Sequence, residues 1–352
     1  MSASFSEFDS TGGAKIFRLP LQVFPDFWAY AYIVRRERSV ILIDAGSSLE
    51  TSRQDLLRGF ERAGVVPSDL THILLTHGHI DHYGGLAALK PLTGAKVGCH
   101  ELDLQTVTRH EAWLALASRR FASFLAETGL AADATDALLN MYRFTKKIHQ
   151  PTFIDFTYDD IHAYLPDVEL IHTPGHCPGH VVLRFDDVVF CGDMILENAT
   201  PHLHPSTTGA YGGLSQYLAS LEAFRAWVDG ARLILNGHDE AIVNLPDRID
   251  ATHRNILRRM SKALRALTQP LTISEICYAI YGALEGYNAL LVIEKTGAYV
   301  EYLYERGMIE IVNADEVEQG GPARYWRARD ESETLEELQR VISAKTHIQE
   351  AA

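Results

Sequence analysis

Ile73-Leu74-Leu75-Thr76-His77-Gly78-His79-Ile80-Asp81-His82 is the stretch on which the reading of this chain turns. An apolar run that ends in three imidazoles and a carboxylate within six residues describes a strand delivering metal ligands to one point. The turn after such a strand can aim His77 and His79 at one ion and Asp81 and His82 at another. Neutral imidazole and carboxylate are the donors that zinc and other borderline divalent ions prefer. A His-rich solvated loop would look the same in isolation, but matching donors recur downstream.

Val168 to His172 reads as a strand and leads into Thr173-Pro174-Gly175-His176. Val188 to Cys191 leads into Gly192-Asp193, and Leu233 to Leu235 into Asn236-Gly237-His238. Separate apolar strands, each ending in a glycine and one donor, can converge at one edge of a sheet core, because glycine leaves room for tight turns. Upstream, Phe27 to Val34 and Ser39 to Asp44 read as paired strands across the charged turn Arg35-Arg36-Glu37-Arg38. Leu56, Leu57 and Phe60 recur at helical spacing within residues 50 to 63, a helix is expected after Gly84-Gly85, and Lys96 to Cys99 is a further strand.

The chain has 352 residues, 47% apolar and 22% charged, and a formal net charge of −14. That length accommodates one large core and a smaller module. Residues 1 to 14 read as a flexible N-terminus without the basic start and apolar core of a secretory signal. The longest aromatic-apolar run, Phe27 to Val34, is too short to span a bilayer. No membrane partner and a cytoplasmic location are therefore expected. The acidic balance disfavours sequence-independent nucleic-acid binding, which needs a basic face. Cys99, Cys177, Cys191 and Cys277 show no CxxC pairing, so packing is expected of them rather than disulfides or thiolate zinc knuckles.

Residues 15 to 250 read as a catalytic domain and 101 to 147 as a helical insertion within it, with Trp113, Leu116, Phe121, Phe124 and Leu125 on one face. The insertion is either an extra packing layer or a lid over an apolar pocket. Thr252 to Leu267 is a basic amphipathic helix. A helix over Ser274 to Tyr281, capped by Thr272 or Ser274, a longer one to Arg306, and strand patterns flanking Gly320-Gly321 complete a winged-helix-like α+β order over residues 251 to 330. Between His253 and Asp330 ten Lys or Arg balance ten Asp or Glu, and Glu294, Glu301 and Glu305 lie on the helix that would enter a groove. Packing, or walling a substrate channel, is favoured over nucleic-acid reading. Residues 331 to 352 read as a final helix and tail.

Taken together, His77-x-His79-x-Asp81-His82, Thr173-Pro174-Gly175-His176, Gly192-Asp193 and Gly237-His238, with Asp44 upstream, resemble the five signature motifs of the metallo-β-lactamase superfamily over residues 15 to 245. The resemblance implies an α/β fold, the αββα four-layer sandwich, with the site at one edge of its two sheets. It implies that His77, His79 and His176 bind a first metal, that Asp81, His82 and His238 bind a second, and that Asp193 bridges them. Asp44 would steady the ligand loop by hydrogen bonds. A complete ligand set favours two divalent ions, zinc foremost with iron or manganese as alternatives, over a single-iron centre. The Asp-His pairing and the absent secretion signal set the chain apart from the antibiotic-cleaving branch. With its C-terminal module, the pattern is most similar to the glyoxalase II-like hydrolases and the β-lactamase-like protein 2 group, the latter including endoribonucleases.

The activity implied is hydrolysis of a small carboxylic ester, thioester or lactone by a hydroxide bridging two metal ions. Asp81 is the expected catalytic residue, orienting the water and passing its proton to the leaving group. A phosphodiesterase or endoribonuclease is the alternative, and a non-catalytic metal-binding sensor a third reading. His180 is expected to support a ligand or touch substrate. His202, His204 and Tyr211, in the loop after Asp193, are candidate contacts for a small-molecule substrate. His72, His100, His110, His149, His162, His172, His253 and His347 read as structural or solvated. Nothing in the sequence sets an oligomeric state.

Overall fold

The computed structural model describes residues 4–283 and 285–344, so the first three residues of the N-terminal segment, and residues 345–352 of the tail with His347, lie outside the described residues. Seven strands in chain order form the first sheet: β1 (Ser6–Asp9), β2 (Lys15–Phe24), β3 (Phe27–Arg35), β4 (Val40–Ile43), β5 (His72–Leu74), β6 (Lys96–Cys99) and β7 (Phe156–Thr157). Neighbours pair antiparallel from β1 to β4 and parallel from β4 to β7. Ser6–Asp9, grouped by the sequence reading with a flexible N-terminus, is strand β1, in register with Lys15 to Arg18 of β2.

Alternation along β2 to β5 sends side chains to two cores, because successive residues of a strand point to opposite faces. Ile16, Tyr30, Tyr32, Val34, Ile41, Ile43 and Leu74 face one core. Leu19, Leu21, Ala29, Ala31, Ile33, Leu42 and Ile73 face the other. The first core is closed by a second sheet, whose strands β8 (Glu169–His172), β9 (Val181–Phe185), β10 (Val188–Phe190) and β11 (Leu233–Leu235) run in the order β11-β10-β9-β8. Val181, Leu183, Phe185, Val188, Phe190 and Leu235 supply its side of that core, and Tyr32 meets Phe190 edge-on at 5.2 Å between centroids.

The second core is closed by helices α1 (Glu50–Ala63), α2 (Ile80–Tyr83) and α3 (Leu86–Leu89). In α1, Leu56, Phe60 and Ala63 form the buried stripe. Gly59 lies so close to Leu19 of β2 that a Cβ there would be 2.9 Å from its methyl carbons. Two sheets face to face, with helices on the outer face of the first, give the layered α/β architecture expected from the sequence.

The remaining helices are α4 (Leu104–Thr108), α5 (His110–Glu127), α6 (Ala132–Lys147), α7 (Ile161–Tyr164), α8 (Leu214–Trp227), α9 (Leu245–Ala266), α10 (Ile273–Tyr281) and α11 (Gly286–Glu305). They are followed by strand β12 (Ile309–Ile311), helix α12 (Ala314–Glu318), strand β13 (Tyr325–Arg327) and helix α13 (Glu331–Ala344). The described residues form two compact units. One comprises those of Met1–Leu114, Lys146–Ala199 and Ala223–Asn244. The other comprises Ala115–Thr145, Thr200–Glu222 and the chain from Leu245 onward.

The middle of the helical insertion thus groups with the C-terminal segment. Phe121 stacks on Tyr142 at 4.6 Å, the Ser274 amide donates to the Thr128 carbonyl at 2.8 Å, and Gly297 of α11 has the Phe124 ring where a Cβ would lie. Within this unit β12 and β13 pair antiparallel, and a reciprocal Thr272–Glu275 box caps α10. No single helix among the described residues is long and apolar enough to cross a membrane.

Phe60 is 1% exposed, whereas Phe153 is 70% exposed. Phe60→Ala is expected to lower unfolding free energy by about 3–5 kcal/mol, and Phe153→Ala to change it by less than about 0.5 kcal/mol. Urea unfolding of the metal-free chain, followed by circular dichroism, checks both.

Candidate metal centre

Asp44 stands at the end of β4 in the left-handed backbone region, with φ of 57°. An L-residue adopts that conformation at a cost, and here it turns the carboxylate onto the loop after β5. The carboxylate accepts the Thr76 amide at 2.8 Å, the Thr76 hydroxyl at 2.7 Å and the His82 Nδ1–H at 2.8 Å. The Thr76 hydroxyl, having donated to Asp44, accepts from Nδ1 of His77 at 3.0 Å. The Trp28 carbonyl accepts Nδ1–H of His238 at 2.8 Å. With Nδ1 engaged, His77, His82 and His238 each turn Nε2 inward as the metal-facing atom.

Backbone bonds stitch the donor loops together. Ala45 N–H donates to the His82 carbonyl at 2.7 Å, Val181 to Thr76 at 2.8 Å, and Gly237 to Gly192 at 2.8 Å. Gly237 has no substitute here, because a Cβ would fall 2.2 Å from Asp193 Oδ1.

The seven expected donors come together. Ligand atoms lie within 4.8 Å of one another in each of three overlapping groups: His77, His79 and His176; His77, His82 and Asp193; and Asp81, His82 and His238. Asp193 reaches both ends. Its Oδ2 is 3.4 Å from His176 Nε2 and 3.1 Å from His238 Nε2, while Oδ1 is 3.6 Å from His82 Nε2. Buried Oδ1 has no hydrogen-bond partner. An acceptor left over in the middle of inward-facing imidazoles suits a cation, so the residues fit a metal centre.

The electrostatics point the same way. Burial pushes His77 well below the usual histidine range. Burial also opposes charge on His82, yet the Asp193, Asp44 and Asp81 carboxylates outweigh it and raise its pKa to about 10. His238 is raised too, by Asp193 and Asp81 against its burial. Asp193, buried among these rings, is held well below the ordinary carboxylate range by His238 and His82. Without a metal the cluster draws protons, and a divalent ion supplies the same positive charge in their place.

His180 is fully buried, with Nδ1 2.8 Å from the Thr173 hydroxyl and Nε2 accepting the Asp193 amide at 3.1 Å. It therefore holds a donor's backbone. His202, His204 and Tyr211 fall in the second unit. There His202 pairs with Glu294 at 3.2 Å, His204 Nδ1 lies 3.0 Å from the Pro205 carbonyl, and Tyr211 is exposed. All four cysteines are free and buried, and burial pushes the Cys177 thiol far up, away from thiolate chemistry. The sequence reading did not single out Thr76, Asp103 or Phe27. Thr76 is recognisable only as the residue before the first histidine, Phe27 as a strand start beside a turn, and Asp103 as a helix cap.

Residues 29–238 match the Metallo-beta-lactamase superfamily. The chain is 24% identical over 288 residues to the probable metallo-hydrolase YqjP of Bacillus subtilis, covering 77% of this chain and 86% of that protein. It is 26% identical over 233 residues to a hydroxyacylglutathione hydrolase of Albidiferax ferrireducens, covering 64% of this chain and 68% of that one. In fold it resembles a metallo-beta-lactamase family protein from Thermus thermophilus, with a TM-score of 0.70, 24% identity, and 89% of this chain and 98% of that one covered. The match spans more than half the chain and includes every donor of the cluster: this chain belongs to the metallo-beta-lactamase superfamily.

Proposed function

We propose that this chain is a hydrolase whose His77, His79 and His176 hold one divalent ion, and whose Asp81, His82 and His238 hold another, with Asp193 shared. Zinc is the ion that such a donor set suits best. The substrate is a small carboxylic ester, thioester or lactone. Asp193 carries the reading, because its two oxygens face both imidazole groups at once.

When bound, such ions lower the pKa of a water and polarise the carbonyl it attacks. The chain's own residues supply the rest. Asp81, with its side chain 15% exposed and Oδ2 3.6 Å from His238 Nε2, is the proposed proton carrier: its carboxylate would take a proton from the attacking water and pass it to the leaving thiolate or alkoxide. Asp44, Thr76 and the Trp28 carbonyl hold three imidazoles at fixed angles. Phe27, 44% exposed with its ring 4.7 Å from that of His238, offers an apolar wall to an acyl chain. The Albidiferax relative is named for hydrolysis of hydroxyacylglutathione, an acyl thioester, which supports the acyl class. His202, His204 and Tyr211 are proposed substrate contacts, and residues 251–330 are read as a winged-helix-like module that follows a catalytic domain of residues 15–250.

One observation favours phosphodiester hydrolysis as a second reading. Arg254, Arg258, Lys262 and Arg265 share one exposed face of α9, about a helical turn apart, on a chain with net charge −14.

Zinc-loaded protein assayed on a thioester and lactone panel beside a bis-aryl phosphodiester separates the two. Acyl turnover is expected, and cleavage of the phosphodiester alone would overturn the leading reading. In Asp81→Asn, kcat is expected to drop by about 10²–10⁴, with zinc still found on the His77, His79 and His176 group. Because His82 gives up a proton to bind metal and its pKa without metal is about 10, affinity rises with pH throughout the neutral range. Zinc affinity by chelator competition should fall by about tenfold per unit from pH 8 to pH 6, and a flat profile would contradict this role of His82.

A further inference from the structure

Asp103 is a buried carboxylate that none of the chemistry above employs. It is 2% exposed, and among the described residues no Lys or Arg pairs with it. It directly precedes α4, where an aspartate ordinarily caps a helix by accepting its first amides. Here the side chain makes no capping bond. It turns to two donor-bearing loops instead.

The Gly179 amide donates to Oδ1 at 3.0 Å, and the backbone at Gly78 packs against the same carboxylate. Cys177 Sγ lies 3.4 Å from Oδ1 and 3.6 Å from Oδ2. Gly78 sits between His77 and His79, while Cys177 and Gly179 lie between His176 and His180. A Cβ at Gly78 or Gly179 would come within 2.9 Å or 2.5 Å of Asp103 Cγ, so both loops close directly on the carboxylate. Gly179 then leads into His180, which accepts the Asp193 amide. One side chain therefore links the loop of His77 and His79, the loop of His176, and the strand end that carries Asp193.

We propose that Asp103 is a positioning residue for the metal centre: by accepting the Gly179 amide while its carboxylate packs against Gly78, it fixes the separation of His77 and His79 from His176 and so sets how tightly that trio binds a metal ion. This rests on the metal-centre reading above. The chemistry demands a carboxylate. The Gly179 amide and the Cys177 thiol both face its oxygens, which can accept from each, whereas an asparagine would offer one acceptor oxygen and point an NH₂ at a donor or at the Gly78 backbone.

The test uses the full chain as wild type, Asp103→Ala, Asp103→Asn and Cys177→Ala. Each is titrated with Co²⁺ against a chelator, its visible absorption bands are recorded, and the metal-free form is melted. Wild type is expected to take up Co²⁺. Asp103→Asn, which conserves volume and carries the test if the alanine variant fails to fold, should bind Co²⁺ about 10–100-fold more weakly with displaced bands. Cys177→Ala, which keeps the carboxylate and the Gly179 amide, should weaken Co²⁺ binding far less than Asp103→Asn does. A folded Asp103→Asn that melts lower but keeps wild-type Co²⁺ affinity and bands would reduce Asp103 to a core residue and overturn the proposal. Wild type that takes up no Co²⁺ would instead sink the metal-centre reading, and this proposal with it.

Discussion

A carboxylate buried among imidazoles organises this protein. Asp193 is held at the end of β10 where His82, His176 and His238 turn nitrogen toward it. A buried charge is tolerated only when it is paired, so the cluster must carry positive charge, either as protons or as metal. The surrounding structure meets that requirement. Two sheets end their strands at one edge, glycines let the loops approach, and Asp44 accepts a strained backbone to hold the loop after β5. Removing any one of these supports would leave the donors in the sequence but not at one point.

The convergence of the seven clustered residues was legible in the sequence because each lies in a loop or helical turn after a strand and near a glycine, a local pattern that folding does not rearrange. Strands β3, β4, β6, β8, β9, β10 and β11 were legible for the same reason, as short apolar runs bounded by turns. β2 was not, although it is the longest strand, because both its faces are buried and Pro20 interrupts its pattern. β7, two residues long, leaves too little pattern to read. The helix expected after Gly84-Gly85 begins earlier as α2, inside the donor motif itself. Asp103 escaped notice because an aspartate before a helix looks like a cap, and only the fold shows where its side chain turns. The insertion was legible as helix, but its partner was not. An aromatic face states that it packs, and tertiary structure decides against what.

The two units differ in what they contain. The first holds all seven clustered histidines and aspartates and the hydrogen bonds that orient them. The second holds His202, His204 and Tyr211, the stack of Phe121 on Tyr142, and the basic face of α9. Membership in a superfamily built on one metal site constrains the first far more than the second.

Asp193 is proposed to be shared by two ions. Anomalous diffraction from crystals grown with zinc, recorded on both sides of the zinc absorption edge, tests it directly. The account expects two peaks flanking the Asp193 carboxylate, one beside His77, His79 and His176 and the other beside Asp81, His82 and His238. A single peak, or peaks that leave Asp193 unbound, would contradict it.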